Sequence, residues 1–425
     1  MRKKTDYEKK AVLAKKRESR SYLDSLDNVN NRFDLNKFLF RGYHHSNRFK
    51  HEYYDLDPLV NIRGFNTVEG VTLNYGVSYR KRIDSLNNRF LFLGARAGYG
   101  FSDRLLTGGV NGSIPIGSFT LGFNAGSDIV DLNNTAPISP FVNSLYSLFE
   151  RQNFEKLYQK QFASVTLHKR IAGGWQATAG AEWADRKWLS NSSSYSFFTP
   201  GNRNYTSNNP YTPAQDIPLF PENQSFKVSL RTTYDFSNKY ETYPNGRRYL
   251  PSPYPTIGLN YTKGIKNFLG SDVDYDLVSA DISKSDISLG IFGRTSFFIG
   301  TGKFLNNNSL FYPDYKQFAG NQVLFYKEGI NSFLLLNYYT FSTYNQYIEG
   351  HLEHNFSGFI LNKIPLIRKL KLQEIIDLNY LSTPQLKNYS ELGFGIQYLN
   401  FRLMYGTSFN SGSKINSAFR IGLGF

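Results

Sequence analysis

The feature that most constrains this chain is an alternation of period two, recurring in segments of about ten residues from Val68 to the last residue. The end of the chain shows it clearly. Ile415, Phe419, Ile421, Leu423 and Phe425 point one way, and Asn416, Ala418, Arg420, Gly422 and Gly424 the other. A single segment of this kind fits a soluble sheet equally well. Its repetition along nearly the whole chain, with turn residues between, is the signature of a transmembrane β-barrel, in which alternate side chains meet lipid and lumen.

The first such segment sets Val71, Leu73, Tyr75, Val77 and Tyr79 against Thr72, Asn74, Gly76, Ser78 and Arg80. Similar segments run from Arg89 to Gly100, Leu105 to Ile114, Ser118 to Ile129, Gln161 to Arg170 and Trp175 to Arg186. In the Trp175 segment Trp175, Ala177, Ala179, Ala181 and Trp183 form the outward set, with an indole near each end where membrane interfaces favour one. The pattern continues at Ser225 to Phe236, Pro255 to Gly264, Val273 to Ile282, Ile287 to Ile299, Phe333 to Thr343 and Gln346 to Phe356. Four more segments follow: Leu370 to Tyr380, Ser390 to Leu399, Phe401 to Phe409 and Ile415 to Phe425. The expected fold is therefore all-β, a transmembrane antiparallel barrel of about 16 strands, with about 14 to 18 admitted. Residues 67–425 form the barrel, and 1–66 a basic, partly helical segment leading into it. The closing strand, ending on Phe425, is expected to pair with the strand that begins near Val71.

No run approaches the roughly 18 consecutive apolar residues of a spanning helix, so a helical membrane protein is excluded. The mean hydropathy of -0.43 does not oppose a barrel, because only alternate residues need be apolar. The 31 Tyr and 36 Phe fit interfacial aromatic girdles, and the absence of Cys excludes disulfides and thiol chemistry. Net charge is +15, and residues 1–50 hold 14 Lys and Arg against 6 Asp and Glu. That basic run includes Lys9, Lys10, Lys15, Lys16, Arg17 and Arg20, almost without aromatics, so a solvated segment facing anionic lipid or an acidic protein surface is expected rather than nucleic-acid binding. Tyr7 to Leu26 has no Pro or Gly and is expected to be helical. Thr5 to Asn28 offers no apolar stretch for a signal peptide, so the chain reads as a mature or truncated form, or one starting downstream of the true start.

The connections at 130–160, 187–224 and 300–332 are the longest. With both chain ends periplasmic, this strand numbering places them on the periplasmic side, where short turns belong. A strand missing near the start, for instance within Asn36 to His45, together with a compensating error later, would remove the conflict, and orientation stays open. Residues 189–223 read as an irregular surface loop, rich in Ser, Asn, Pro and Tyr. Within 141–160, Phe141, Leu145, Leu148, Phe149, Phe154 and Leu157 have helical spacing, so an amphipathic helix at an interface or inside the lumen competes with ordinary loop packing.

Three stretches, HEYYDLDPLVNIRGFNTVEG from His51, YETYPNGRRYLPSPYPTIGLNYTKGI from Tyr240 and HLEHNFSGFILNKIPLIRKLKLQE from His351, resemble an uncharacterised outer-membrane family of Bacteroidetes type. The resemblance spans most of residues 20–425. It implies a barrel preceded by a carboxypeptidase-regulatory-like domain, which is absent here, and implies no established activity. A weaker resemblance, to BamA-type assembly and secretion barrels, rests on Arg63, Gly64 and Phe65, which match an Arg-Gly-Phe/Tyr motif carried by those barrels on a loop folded into the lumen. That motif lies late in those barrels but ahead of the first clear strand here. Arg63 as a capping ion pair, with Gly64 in a tight turn, is the simpler account.

Candidate lumen or motif residues are Arg63, Gly64, Phe65, Glu69, Glu349, His351 and Glu353. Glu349, His351 and Glu353 alternate, share a strand face and have metal-compatible types, but a solvated polar lumen ladder explains them more simply. Asp272, Asp274 and Asp276 imitate the start of a calcium loop, yet Leu277 stands where Gly is needed. His44, His45 and Ser46 lack a spaced acid, and no nucleophile elbow, phosphate loop or zinc-protease motif occurs. The expectation is no enzyme, no cofactor, no metal and no nucleic acid, and a monomer in outer-membrane lipid with envelope proteins as possible partners. Its function would be transport or envelope biogenesis, or else anchoring of surface loops or a regulatory-like domain.

Overall fold

The computed structural model describes residues 13, 16–17, 19–84, 89–236, 239–243, 246–250, 252–326 and 328–423. Phe425 and the start of the expected Tyr7–Leu26 helix lie outside them; the described helix runs Arg20–Asn30. In chain order the strands are β1 (Tyr43–Asn47), β2 (Glu52–Leu56), β3 (Ile62–Asn66), β4 (Gly70–Asp84), β5 (Arg89–Gly100), β6 (Leu106–Ile116) and β7 (Phe119–Asp131). Then come β8 (Leu157–Ala172), β9 (Trp175–Trp188), β10 (Asn223–Asp235), the separate hairpin β11 (Tyr240–Tyr243) and β12 (Gly246–Tyr249), β13 (Thr256–Gly264) and β14 (Asp274–Ser288). The last are β15 (Arg294–Ser309), β16 (Phe325–Tyr326), β17 (Gln346–Asn355), β18 (Gln373–Ser382), β19 (Tyr389–Tyr398), β20 (Phe401–Asn410) and β21 (Ser413–Leu423).

Among the described residues 19 strands form one sheet. From β4 to β21, leaving out β11, β12 and β16, each strand pairs antiparallel with the next. The other edge of β4 is occupied by β3 at its start and β2 further along. Asp57 N–H donates to Gly76 O and Asn74 N–H to Asn61 O, so residues 52–66 act as one stave broken around Pro58, which has no N–H to give the ladder.

Three sequence expectations are corrected. The missing early stave is residues 52–66; of Asn36 to His45 a helix, Leu35–Arg41, takes most of the span, and only its end enters a strand, β1, which pairs with the outer edge of β2. The sheet therefore begins ahead of residue 67, and β21 does not pair with β4, since both edges of β4 are taken. The compensating error is Phe333 to Thr343, which forms no wall strand. Phe333, Leu334, Leu335 and Leu336 are consecutive and all at most 4% exposed, whereas a wall strand would expose every second one.

The two faces of the sheet differ as period two demands. Outward positions carry exposed apolar residues such as Val77, Leu167, Leu230, Leu259, Ile348 and Phe394, while the inner face carries Arg186, Glu349, Glu391 and Arg420, all buried. Curvature follows from two contacts of the segment after β15. Leu335 N–H meets Glu391 on β19, and four residues later the Tyr339 hydroxyl meets Asp131 on β7. In a flat sheet β7 and β19 would stand roughly 43 Å apart, and four extended residues span only about 14 Å. The sheet must curl around this segment.

The three longest connections lie at one end, while 236–255 and 356–372 lie at the other. Those at 132–156, 189–222 and 310–345 follow β7, β9 and β15, at the end of the sheet where the 67–69 turn lies; β2 starts and β21 finishes at the other end. Within 141–160 the helix is only Pro140–Leu145, extended by a wide turn Tyr146–Glu150 and stopped by Arg151 in the left-handed region, and Leu157 already belongs to β8.

Candidate functional site

The described residues of 310–345 pack against the inner face of the curled sheet as a plug with almost no regular structure. Its apolar tip explains why it stays. Phe333 and Leu336 pack with Phe318, Tyr347, Leu381 and Tyr389, while Leu334 and Leu335 pack with Tyr326, Ile375 and Met404. Each large apolar side chain buried this way contributes about 1.5–3 kcal/mol. The wall makes room with glycine on the inner face: a Cβ at Gly393 would stand 2.6 Å from Leu334 Cδ1, and one at Gly406 3.3 Å from Leu335 Cδ1.

Backbone groups of the tip have no ladder to join, so charged side chains satisfy them. Glu391, 2% exposed, accepts from Leu334 N–H at 2.6 Å and Leu335 N–H at 2.8 Å, and from Tyr389 Oη and Asn379 Nδ2. Arg420 Nε donates to Leu334 O at 2.8 Å, so one peptide is held from both sides. A short parallel bridge places Phe325 and Tyr326 against Ile421 and Gly422 on β21.

Ion pairs then fix the plug to four separate strands, the longest being Asp314 to Lys227 of β10 at 3.7 Å. Asp314 meets Arg186 of β9 at 2.7 Å, with both side chains at most 1% exposed. Lys316 meets Glu349 of β17 at 2.9 Å. Glu328 meets Arg402 of β20 at 3.2 Å, and Arg402 also binds Glu353 through both oxygens, at 2.6 and 3.2 Å. Breaking one partner of such a buried pair costs about 3–5 kcal/mol, because the other charge is left uncompensated.

Loops from the same end cover the plug. Tyr146 Oη accepts from Leu324 N–H, Asn133 Nδ2 donates to Phe318 O, and Tyr211 Oη donates to Tyr339 O. Loop 189–222 is fastened in turn to the 67–69 turn, where Thr67 O accepts from Ser192 and Ser193, and to Lys156, whose Nζ donates to Thr206 Oγ1 and Ser207 O. Burial pushes the Glu69 carboxyl up to about 7, against a bond from Asn66, and also raises that of Glu155; burial lowers the Lys156 ammonium to about 7.

The residues singled out from sequence fall in two places. Glu349, His351 and Glu353 do share the inner face of β17 and bind the plug or its supports. His351 Nδ1 lies 2.8 Å from Asn379 Oδ1 and its ring packs edge-on to Phe333. Among the described residues no group of three His, Cys, Asp or Glu is arranged to hold a metal ion. Arg63, Gly64, Phe65 and Glu69 instead lie on and after β3. Gly64 sits at a positive φ of 156° where a Cβ would be 2.6 Å from Ser144 Oγ, so it admits the helix Pro140–Leu145 beside the strand rather than a tight turn. Phe65 N–H donates to that same Ser144 Oγ at 2.7 Å. Arg63 forms no ion pair among the described residues and does not meet Arg80, Glu182, Arg294 or Arg402; its charge lies near Glu69 and Glu155. The segment folded inside is 310–345, not the Arg-Gly-Phe motif. Elsewhere His44 pairs with Asp55 while Ser46 donates to Asp27, so those residues do not converge, and Asp272, Asp274 and Asp276 are each hydrogen-bonded locally to protein groups.

Alternation alone could have placed Glu391, Arg186 and Arg420 on the inner face, but it could not name their partners, which come from the plug.

Among solved structures the chain is similar to BamA from Haemophilus ducreyi lacking POTRA domains 1-3, at 11% identity over 94% of this chain and 77% of that one, TM-score 0.46. It is also similar to CdiB from Acinetobacter baumannii, at 12% identity over 87% of this chain and 58% of that one, TM-score 0.37. A mutant porin of Rh. blastica matches at 7% identity over 83% of this chain and 89% of that one, TM-score 0.33. No curated protein matches the chain. The model of the family of unknown function (DUF5686) C-terminal domain matches residues 36–396, and the chain belongs to that family.

Proposed function

We propose that the chain is an outer-membrane β-barrel whose lumen is closed by its own loop, acting as a transport or envelope-biogenesis element rather than an open pore. The observation that carries this is the plug at 310–345, clasped by Glu391 and Arg420 and paired to β9, β17 and β20 inside a wall with exposed apolar residues on its outer face. With residues 52–66 counted as one stave, and β1 set aside as a short addition to the outer edge of β2, this reading has about 16 strands in the wall, an even number as expected of bacterial single-chain barrels. Closure satisfies the edge N–H and C=O groups that lipid cannot. The three longest loops then share the end opposite the start of β2 and the finish of β21, the arrangement of extracellular loops over a periplasmic side. In this reading the chain is a monomer in lipid, without cofactor, metal or nucleic-acid partner.

A second reading, an anchor that displays surface loops, is favoured by the interlocked connections 132–156 and 189–222, which are held as a fixed lid. Planar-bilayer recording separates a closed lumen from an open one. The full chain is expected to conduct weakly or not at all, and a variant lacking residues 312–343 to conduct steadily; large stable currents from the full chain would refute the closed lumen. Depletion in the native organism followed by an outer-membrane proteome then decides between biogenesis and anchoring, since unchanged levels of other barrels would sink biogenesis.

A further inference from the structure

The outer face of the wall has a feature that the closed lumen does not use. On β17 the outward row reads Ile348, Gly350, Leu352, so a glycine interrupts two large apolar side chains. A Cβ placed on Gly350 meets no atom within 4 Å, so the gap is real space rather than a close approach of backbones. Ile299 on β15 and Leu378 and Tyr380 on β18 wall it on either side, all at least 37% exposed, around a groove of about 590 Å³. Toward the long-loop end a second hollow of about 940 Å³ abuts it, since Ile348, Thr301 and Ser382 are the next outward positions on the same three strands. Two exposed lysines, Lys303 and Lys387, line this upper hollow, and neither forms an ion pair with a carboxylate among the described residues.

We propose that this channel is a lipid site, built to hold one phosphate-bearing lipid of the leaflet at the long-loop end, with its phosphate at Lys303 and Lys387 and an acyl chain in the notch at Gly350. The assignment rests on the membrane-spanning reading given above. Charge complementarity selects the occupant: apolar surface below and two unpaired ammonium groups above suit an anionic amphiphile, and lysines near a membrane surface each attract anionic headgroups. The two hollows fall within or near the usual size of small-molecule sites, about 300–1,000 Å³.

The test uses the full chain in neutral detergent micelles, incubated with phosphatidylglycerol or with the uncharged diacylglycerol of the same acyl chains, and native mass spectrometry of what stays bound. Wild type is expected to retain one phosphatidylglycerol with a preference over diacylglycerol of about tenfold or more. K303A/K387A is expected to lose that preference, and G350L to retain less of both lipids. Equal retention of the two lipids by wild type, or an unchanged preference in K303A/K387A, overturns the proposal. Heat-modifiable gel migration, recorded before lipid is added, shows whether each variant is folded. A wild type that does not fold in micelles would instead count against the membrane-spanning reading, so the two failures are distinguishable.

Discussion

At the scale of single residues, the lid has an unusual electrostatic composition. The Glu69 carboxyl, held up at about 7 by burial, contributes most to stability below its ordinary value near 4.5 and loses that contribution as pH rises through about 7. Glu155 is displaced in the same direction. Lys156 behaves oppositely: lowered to about 7 from 10.5, it contributes above its ordinary value and loses that contribution as pH falls through about 7. The lid is therefore expected to be least stable near neutral pH and firmer on both sides, each limb amounting to about 1–3 kcal/mol. Hydrogen exchange at Ser192 and Ser193, corrected for intrinsic rates between pH 5 and 9, measures this. E69Q should flatten the acid limb and K156M the alkaline one; a profile that E69Q leaves unchanged would show that Glu69 is not the source. Residue-level legibility was uneven for a physical reason. Period two correctly placed Glu349, His351 and Glu353 on one face, but Lys316, Asn379 and Arg402, which give those positions their role, reach them from other segments of the chain.

At the scale of elements, the wall strands could be read from sequence because each sets an exposed apolar face against a buried, more polar one. Elements that break this rule escaped. Residues 52–66 form a stave interrupted at Pro58, and their alternation is too short on either side to register. Phe333 to Leu336 present an unbroken apolar run, which periodicity cannot tell from a strand buried on both faces. Arg63 to Phe65 matched a motif by identity alone, and the structure assigns that stretch to seating a loop helix. The plug makes its own prediction at this scale. Its tip fits only because the wall opposite is glycine, so G393V should collide with Leu334, and G406V more mildly with Leu335. G393V should loosen the tip by about 1–3 kcal/mol and raise planar-bilayer conductance, whereas R402A should act on the middle of the plug by stranding Glu328 and Glu353. If G393V remains folded and conducts no more than wild type, the tip is not what closes the lumen.

At the scale of the whole molecule, the count of staves and the side on which loops lie are one problem. Moving a single stave from 333–343 to 52–66 leaves the expected total near sixteen but shifts by one every strand between them. That one-strand shift carries the connections 132–156, 189–222 and 310–345 to the end opposite the start of β2 and the finish of β21. Sequence reading met this as a contradiction between long loops and periplasmic termini; the contradiction was the trace of the missed stave. Orientation is thereby testable with little perturbation, because the chain has no Cys and single cysteines report cleanly. S194C lies exposed in the 189–222 loop and K369C in an exposed connection at the opposite end, between β17 and β18. In intact cells a membrane-impermeant maleimide is expected to label S194C and to spare K369C until the outer membrane is permeabilised. Labelling of K369C alone would invert the topology and place the covered plug toward the periplasm, and with it the end from which any cargo would have to open the lumen.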